Sequence, residues 1–271
     1  MVGEAGNPGG GGSGSGPSTD PGDNLAITPD TTGCASYPPG TYTPYTASGT
    51  FPKGTVAQYP WRGPDGGYPN GVEDFTAYAP GEMVECSSDK SVRTYLAVTD
   101  GCLEALATNG GTAMRGNVLA TSEGYYRAVA LGFTNGDADH PLRWTDIAVS
   151  YRFHYSKQTG NIGNPGFKTF ARYRTEDDLY VASWRTDGVV QIQRKQCGVY
   201  TPLIIDEAYG APSPDAWHTI RFTAIGNQLS FYVDGALAVQ ATDDIFKSGT
   251  AGMRIDSMND AAIESWQVAA P

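Results

Sequence analysis

From Glu82 onward, short runs of alternating apolar and polar residues recur with turn residues between them, and no stretch repeats its apolar positions at the helical period. The alternation predicts strands over 82–87, 92–98, 102–107, 115–121, 125–133, 144–156, 167–174, 179–185 and 189–195. A C-terminal set follows over 217–224, 228–233, 236–241, 250–255 and 261–268. Within 147–156, Ile147, Val149, Tyr151, Phe153 and Tyr155 share one face, as a strand with one buried side requires. Thr186-Asp187-Gly188, Ile225-Gly226-Asn227 and Val233-Asp234-Gly235 suit tight turns with positive φ. Many short strands at this spacing predict an all-β, two-sheet antiparallel jelly-roll sandwich. No internal repeat suggests a propeller or solenoid.

Upstream the pattern dissolves. Residues 1–24 read as a Gly/Ser-rich flexible linker, since eight of the first sixteen residues are Gly. Such a linker tethers a module to a further domain or a surface. From about 25 to 80 the chain is rich in Pro, Gly, Tyr and Thr, which predicts an irregular N-terminal wrap held to the body by Tyr side chains and Trp61. The folded domain is therefore expected over 25–271.

Composition narrows the class. Charged residues are 17% of the 271, while aromatics reach 11%. A helical bundle would need more charge and less Gly and Pro, and wholesale disorder would lack those rings. A net charge of −11 argues against nucleic acid as a partner. No apolar run approaches the ~20 residues of a membrane span. The four cysteines, Cys34, Cys86, Cys102 and Cys197, include no C-x-x-C pair and read as two disulfides of a secreted or cell-surface protein. Three connectivities are open. The short spacing favours Cys86–Cys102 as a local bridge, with Cys34–Cys197 pinning the N-terminal segment. Met1-Val2-Gly3-Glu4 has neither a basic start nor an apolar stretch, so export is inferred from the cysteines.

The stretch 217–268 runs from Trp-His through an alternating strand, a Gly-Asn turn and Tyr-Val-Asp-Gly to a Phe-x-x-Gly-x-x-Gly corner and a last strand. It resembles the closing strands of concanavalin A-like jelly rolls, and residues 178–204 look like the preceding hairpin. The resemblance implies the fold. It also implies glycan chemistry, since that superfamily includes lectins, carbohydrate-binding modules, laminin-G-like modules, glucanases and polysaccharide lyases. The Glu-x-Asp-x-x-Glu spacing of its glucanases is absent, and Glu176-Asp177-Asp178 lies at a predicted turn.

Charge then suggests a site. Nine of the 18 Lys and Arg fall between Arg143 and Lys195, against five acids in the same window. Strand alternation puts Arg152 and His154 on one face, Lys168, Arg172 and Arg174 in phase, and Gln191, Gln193 and Lys195 in phase. Were these strands neighbours, one sheet would carry a basic row suited to an anionic polymer such as a uronic-acid polysaccharide. β-Elimination on a uronate needs a neutraliser for the carboxylate, a base for the C5 proton and an acid for the leaving oxygen.

The expected function is accordingly an extracellular polysaccharide lyase. His154, Lys195 and Tyr200 are its expected catalytic groups. Arg152, Lys168, Arg172, Arg174, Tyr180, Gln191 and Gln193 are expected to bind substrate. Arg174-Thr175-Glu176, Gln191-Ile192-Gln193 and Lys195 through Tyr200 resemble alginate-lyase-type jelly rolls in fragments. Three departures stand against this: the second Arg of the first motif is missing, Gln193 stands in place of the catalytic His, and the third fragment follows the second too soon.

The alternatives are a non-catalytic carbohydrate-binding module or a laminin-G-like adhesion domain. No cofactor is expected for catalysis. A structural calcium ion has candidate ligands in Asp137, Asp139, Asn259 and Asp260. His218, after Trp217, is expected to pack. Trp61, Trp144, Trp184 and Tyr180 are the candidate aromatic platforms for a neutral glycan.

Overall fold

A computed structural model describes residues 71–73, 75, 78–86, 96–100, 102–108, 111–117, 125–130, 145–158, 164–175, 177–258, 261–269 and 271. Every element among them is a strand. Among the described residues one sheet has nine strands. Along it lie β14 (Ala236–Thr242), β13 (Gln228–Val233), β12 (Trp217–Ile225), β7 (Ile147–His154), β16 (Ala262–Ala269), β5 (Gly111–Asn117), β4 (Cys102–Thr108) and β2 (Met83–Cys86). β1 (Gly71–Glu73) also pairs with β16. The second sheet has seven: β11 (Val199–Asp206), β10 (Val190–Gln196), β9 (Asp178–Arg185), β8 (Gly166–Thr175), β15 (Thr250–Asp256), β6 (Tyr125–Ala130) and β3 (Leu96–Asp100). The chain is thus the two-sheet antiparallel sandwich that its alternation predicts.

The core fills the space between the sheets. Ile147, Val149, Tyr151, Phe153 and Tyr155 are all buried on the inward face, as their spacing requires. They meet Phe167, Trp184, Phe222, Phe231 and Trp266 from the other strands in one contiguous cluster. Phe153 stacks on Phe167 across the sandwich, with ring centroids 3.6 Å apart. Each such ring removed from water contributes about 1.5–3 kcal/mol.

The turns follow their residues. Asp234 (φ 48) and Gly235 (φ 82) join β13 to β14 as a two-residue turn with both φ positive. The Asp234 carboxylate then caps the neighbouring strand, accepting from the Thr219 N–H at 2.8 Å and facing His218 Nδ1 at 2.8 Å. His218 is buried against Trp184 and Phe153 and packs as expected.

One departure from the predicted strands has a local cause. β11 is absent from the alternation pattern because Pro202 interrupts it. The strand exists at the edge of its sheet, where a missing N–H costs nothing, and the register against β10 shifts between Ile192 and Gln193, beside the Gln193–Pro202 pair. The strand predicted at 115–121 lies at 111–117. The linker at 1–24 and the wrap down to residue 70 lie outside the described residues, as do Trp61, Trp144, Asp137, Asp139, Asn259 and Asp260.

Candidate functional site

The basic row expected on one sheet does not form. β7 belongs to the nine-stranded sheet, whereas β8, β9 and β10 belong to the other. His154 and Arg152 are therefore on a different sheet from Lys168, Arg172, Gln191, Gln193, Lys195 and Tyr200. The positive charge is also neutralised pair by pair. Arg152 meets Glu264, Lys168 meets Asp256, Arg185 meets Asp187, Arg194 meets Asp243 and Lys195 meets Asp177. Three of these acids come from beyond residue 240, which a count over residues 143–195 cannot include.

Several expected substrate-binding residues are interior. Lys168 is enclosed with Asp256, which also holds Arg254 Nε at 2.5 Å. Burial pushes the Lys168 ammonium below the ordinary lysine range, and the Arg254 and Arg185 charges push the same way against the pull of Asp256. Gln191 and Ser183, partners across β10 and β9, are 4% and 1% exposed although they face away from the main core. Phe170, Tyr173, Leu179 and Val181 form a second buried apolar cluster within β8 and β9. The outward face of the seven-stranded sheet is thus closed at its middle.

Arg172 is a staple, not a surface cation. The β8–β9 register shifts between Ala171 and Thr175, and Arg172 adopts φ 50, so it leaves the phase assumed for it with Lys168 and Arg174. Its guanidinium donates to the carbonyls of Thr145 (2.7 Å), Phe246 (2.9 Å) and Gly226 (2.8 Å). The Arg174 side chain is outside the described residues. Tyr180 faces the core: its hydroxyl donates to Asp243 at 2.5 Å and accepts the Phe246 N–H at 3.0 Å. Burial, helped by the Asp243 carboxylate, raises its ionisation well above the usual tyrosine range.

Three expected residues do come together. Lys195 pairs across strands with Tyr200, its Nζ 5.3 Å from the ring centroid, and Gln193 lies two residues back along the same strand. Asp177 Oδ1 holds the same ammonium at 3.0 Å. His154 is on the other sheet, so the three catalytic candidates do not share a site. Among the cysteines, Cys86 and Cys102 are register partners in β2 and β4. Cys197 is disulfide-bonded, and Cys34 lies outside the described residues.

The open surface is the outward face of the nine-stranded sheet. Registers place Trp217, Thr219 and Arg221 of β12 in phase with His154, Arg152 and Ser150 of β7. On the other side of β7 stand Ala262, Glu264 and Gln267. The Arg152 guanidinium lies 4.2 Å from the Trp217 ring centroid, and the His154 ring lies 5.3 Å from it. Glu264 accepts from Arg152 Nη1 at 2.8 Å and from Thr108 Oγ1 at 3.0 Å. Further along, Arg221 lies over the Tyr232 ring at 5.6 Å. Arg152, Thr219, Arg221, Gln228, Gln240 and Gln267 are all exposed. Of this face, Arg152 and His154 were expected at a site. Trp217, Thr219, Arg221, Tyr232 and Glu264 were not, although Trp217-x-Thr219-x-Arg221 runs in opposite phase to the buried His218, Ile220 and Phe222.

The face defines a class: a β-sandwich whose open sheet offers aromatic rings among hydrogen-bonding and charged groups. No protein-family model matches the sequence, and neither does any curated protein. Solved structures similar to the chain include a carbohydrate binding module from Bacillus subtilis, 15% identical over 64% of this chain and 94% of that one, with a TM-score of 0.46. A Bacillus subtilis protein of galectin-like fold is 13% identical over 71% of this chain and 98% of the other, with a TM-score of 0.47. Lectin II from Ulex europaeus is 10% identical over 73% and 97%, with a TM-score of 0.45. Lectins and carbohydrate-binding modules are among the kinds of protein in the concanavalin A-like group that the C-terminal stretch resembles; at this level of identity, nothing of their binding carries over.

Proposed function

We propose that the protein is a non-catalytic carbohydrate-binding module that takes a neutral glycan on the outward face of its nine-stranded sheet. The observation that supports this is the cluster of Trp217, Arg152, His154 and Glu264 on an open surface. An indole offers a flat apolar face to the C–H side of a sugar ring, and the flanking charged groups offer donors and acceptors to its hydroxyls. Arg152 is matched by Glu264, and Arg115 on the same sheet is matched by Glu104 at 3.2 Å. Arg221, lying over Tyr232, is the arginine of this face without an acidic partner among the described residues, and one such cation is a weak basis for selecting a polyanion. The Gly-rich N-terminus and the cysteines support a secreted or cell-surface module tethered through its linker.

Affinity electrophoresis against soluble neutral and acidic polysaccharides tests the proposal. Retardation by a neutral glycan, relieved by Trp217→Ala, is expected. Release of ultraviolet-absorbing unsaturated ends from a polyuronate would instead favour β-elimination at Lys195 and Tyr200 and would overturn the non-catalytic reading. No retardation by any glycan would overturn carbohydrate binding.

A further inference from the structure

We infer that this face binds a chain of sugars rather than a single ring, with Tyr232 as a second aromatic platform at a distance from Trp217. The inference rests on the carbohydrate-binding reading and gives its ligand a minimum length. Trp217 and Arg221 both point outward from β12, four residues apart. At ~3.3 Å per residue that places them about 13 Å apart along the strand. Tyr232 is the direct cross-strand partner of Arg221, one strand further toward the sheet edge. Trp217 and Tyr232 are both half-buried, each held in place by an arginine: Arg152 on the indole and Arg221 on the phenol. An aromatic ring fixed by a neighbour loses little conformational freedom on binding.

Between the two platforms the surface is polar, with Arg152, balanced by Glu264, opposite Thr219 and with Arg221 beside Tyr232. Thr219 is exposed between Trp217 and Arg221, and Ser150 of β7 stands opposite Arg221. Beyond Tyr232, the Gln240 amide donates to Ser230 Oγ at 2.8 Å, and the exposed Gln228 ends the row. Hydroxyl and amide groups in line between two rings match an oligosaccharide, which alternates apolar ring faces with hydroxyls along its length. A monosaccharide could touch one platform and leave the other wet. A continuous apolar peptide would strand these polar groups without partners. The occupant is therefore a linear neutral oligosaccharide laid obliquely across β12 and β13.

The experiment is calorimetric titration of the whole chain with neutral oligosaccharides of one linkage, from monosaccharide to hexasaccharide. The linkage is chosen as one that binds in electrophoresis. Affinity is expected to climb by about tenfold between the short members and those long enough to cover both rings, and then to level. Tyr232→Ala should abolish the climb while leaving the affinity of the short members unchanged. Tyr232→Phe should retain it, because stacking needs the ring and not the hydroxyl. Trp217→Ala should weaken binding at every length. If the monosaccharide binds as tightly as the hexasaccharide, or if Tyr232→Ala leaves the climb intact in a protein that melts as the parent does, the two-platform inference is overturned and the carbohydrate-binding reading stands. If no oligosaccharide binds at any length, both are overturned.

Discussion

The Arg152 guanidinium lies 4.2 Å from the centroid of the Trp217 ring on the outward face of the nine-stranded sheet. The two residues are on adjacent strands, one register step off the His154–Trp217 pair. Arg152→Ala should therefore weaken glycan binding through two losses: the hydrogen-bonding group itself and the restraint on the indole. A reduction of about 1–2 kcal/mol by titration is expected, with the thermal midpoint little changed. Because Glu264 already balances the charge, the binding constant should depend only weakly on salt. A steep fall between low and high salt would instead indicate an anionic ligand.

Arg172 carries fold stability rather than ligand binding. Its guanidinium is the donor to three carbonyls from separate loops, and the Asp146 carboxylate, 3.5 Å away, also accepts the Gly226 N–H at 2.8 Å. Arg172→Met should cost about 3–5 kcal/mol in denaturant unfolding, because three acceptors lose their donor together. Arg172→Lys, with a single ammonium in place of a fork, should recover only part of this. A loss under about 1 kcal/mol would mean that water replaces the guanidinium.

Tyr180 should impose an alkaline limb on the stability curve. Its folded ionisation lies above the ordinary tyrosine value of about 10. Its contribution is thus complete below that value and is lost as pH rises through the raised one. Lys168 acts in the opposite sense: its folded value is lowered, so its contribution is complete above the ordinary lysine value and is lost as pH falls through the lowered one. Tyr180→Phe should flatten the decline above pH 10 and cost about 1–3 kcal/mol at neutral pH, since Asp243 and the Phe246 N–H each lose a partner. Chemical denaturation followed across pH reads both effects.

Mass mapping of a non-reducing digest should recover Cys86–Cys102 and Cys34–Cys197. The first pair sits in direct register on β2 and β4, and Cys197 is disulfide-bonded at the turn between β10 and β11. Reduction of either bridge should lower stability by about 2–4 kcal/mol. Four free thiols in the native protein, or a Cys86–Cys197 peptide, would contradict the pairing and weaken the case for export with it.

Much of the sandwich was legible from alternation alone. A period of two assigns each residue of 147–155 to a face whatever the strand's neighbours are, and burial of the odd-numbered set there follows directly. The same rule, applied to Trp217, Thr219 and Arg221, marks the open face, because that phase is set by the buried His218, Ile220 and Phe222. Pro202 hid a strand that only an edge position allows, and the displacement at Arg172 arises from a register shift that no period reveals.

The sequence by itself determined that the chain is all-β, which positions face inward and where the tight turns fall, because these depend on residues close together in the chain. Only the tertiary structure decided that β7 lies in a different sheet from β8, β9 and β10, and that Asp243, Asp256 and Glu264 neutralise Arg194, Lys168 and Arg152. Sheet membership and charge pairing are set by contacts between segments far apart in sequence. A local excess of arginine and lysine therefore could not show that the outward face of one sheet would close over its cations while the other remained open around Trp217.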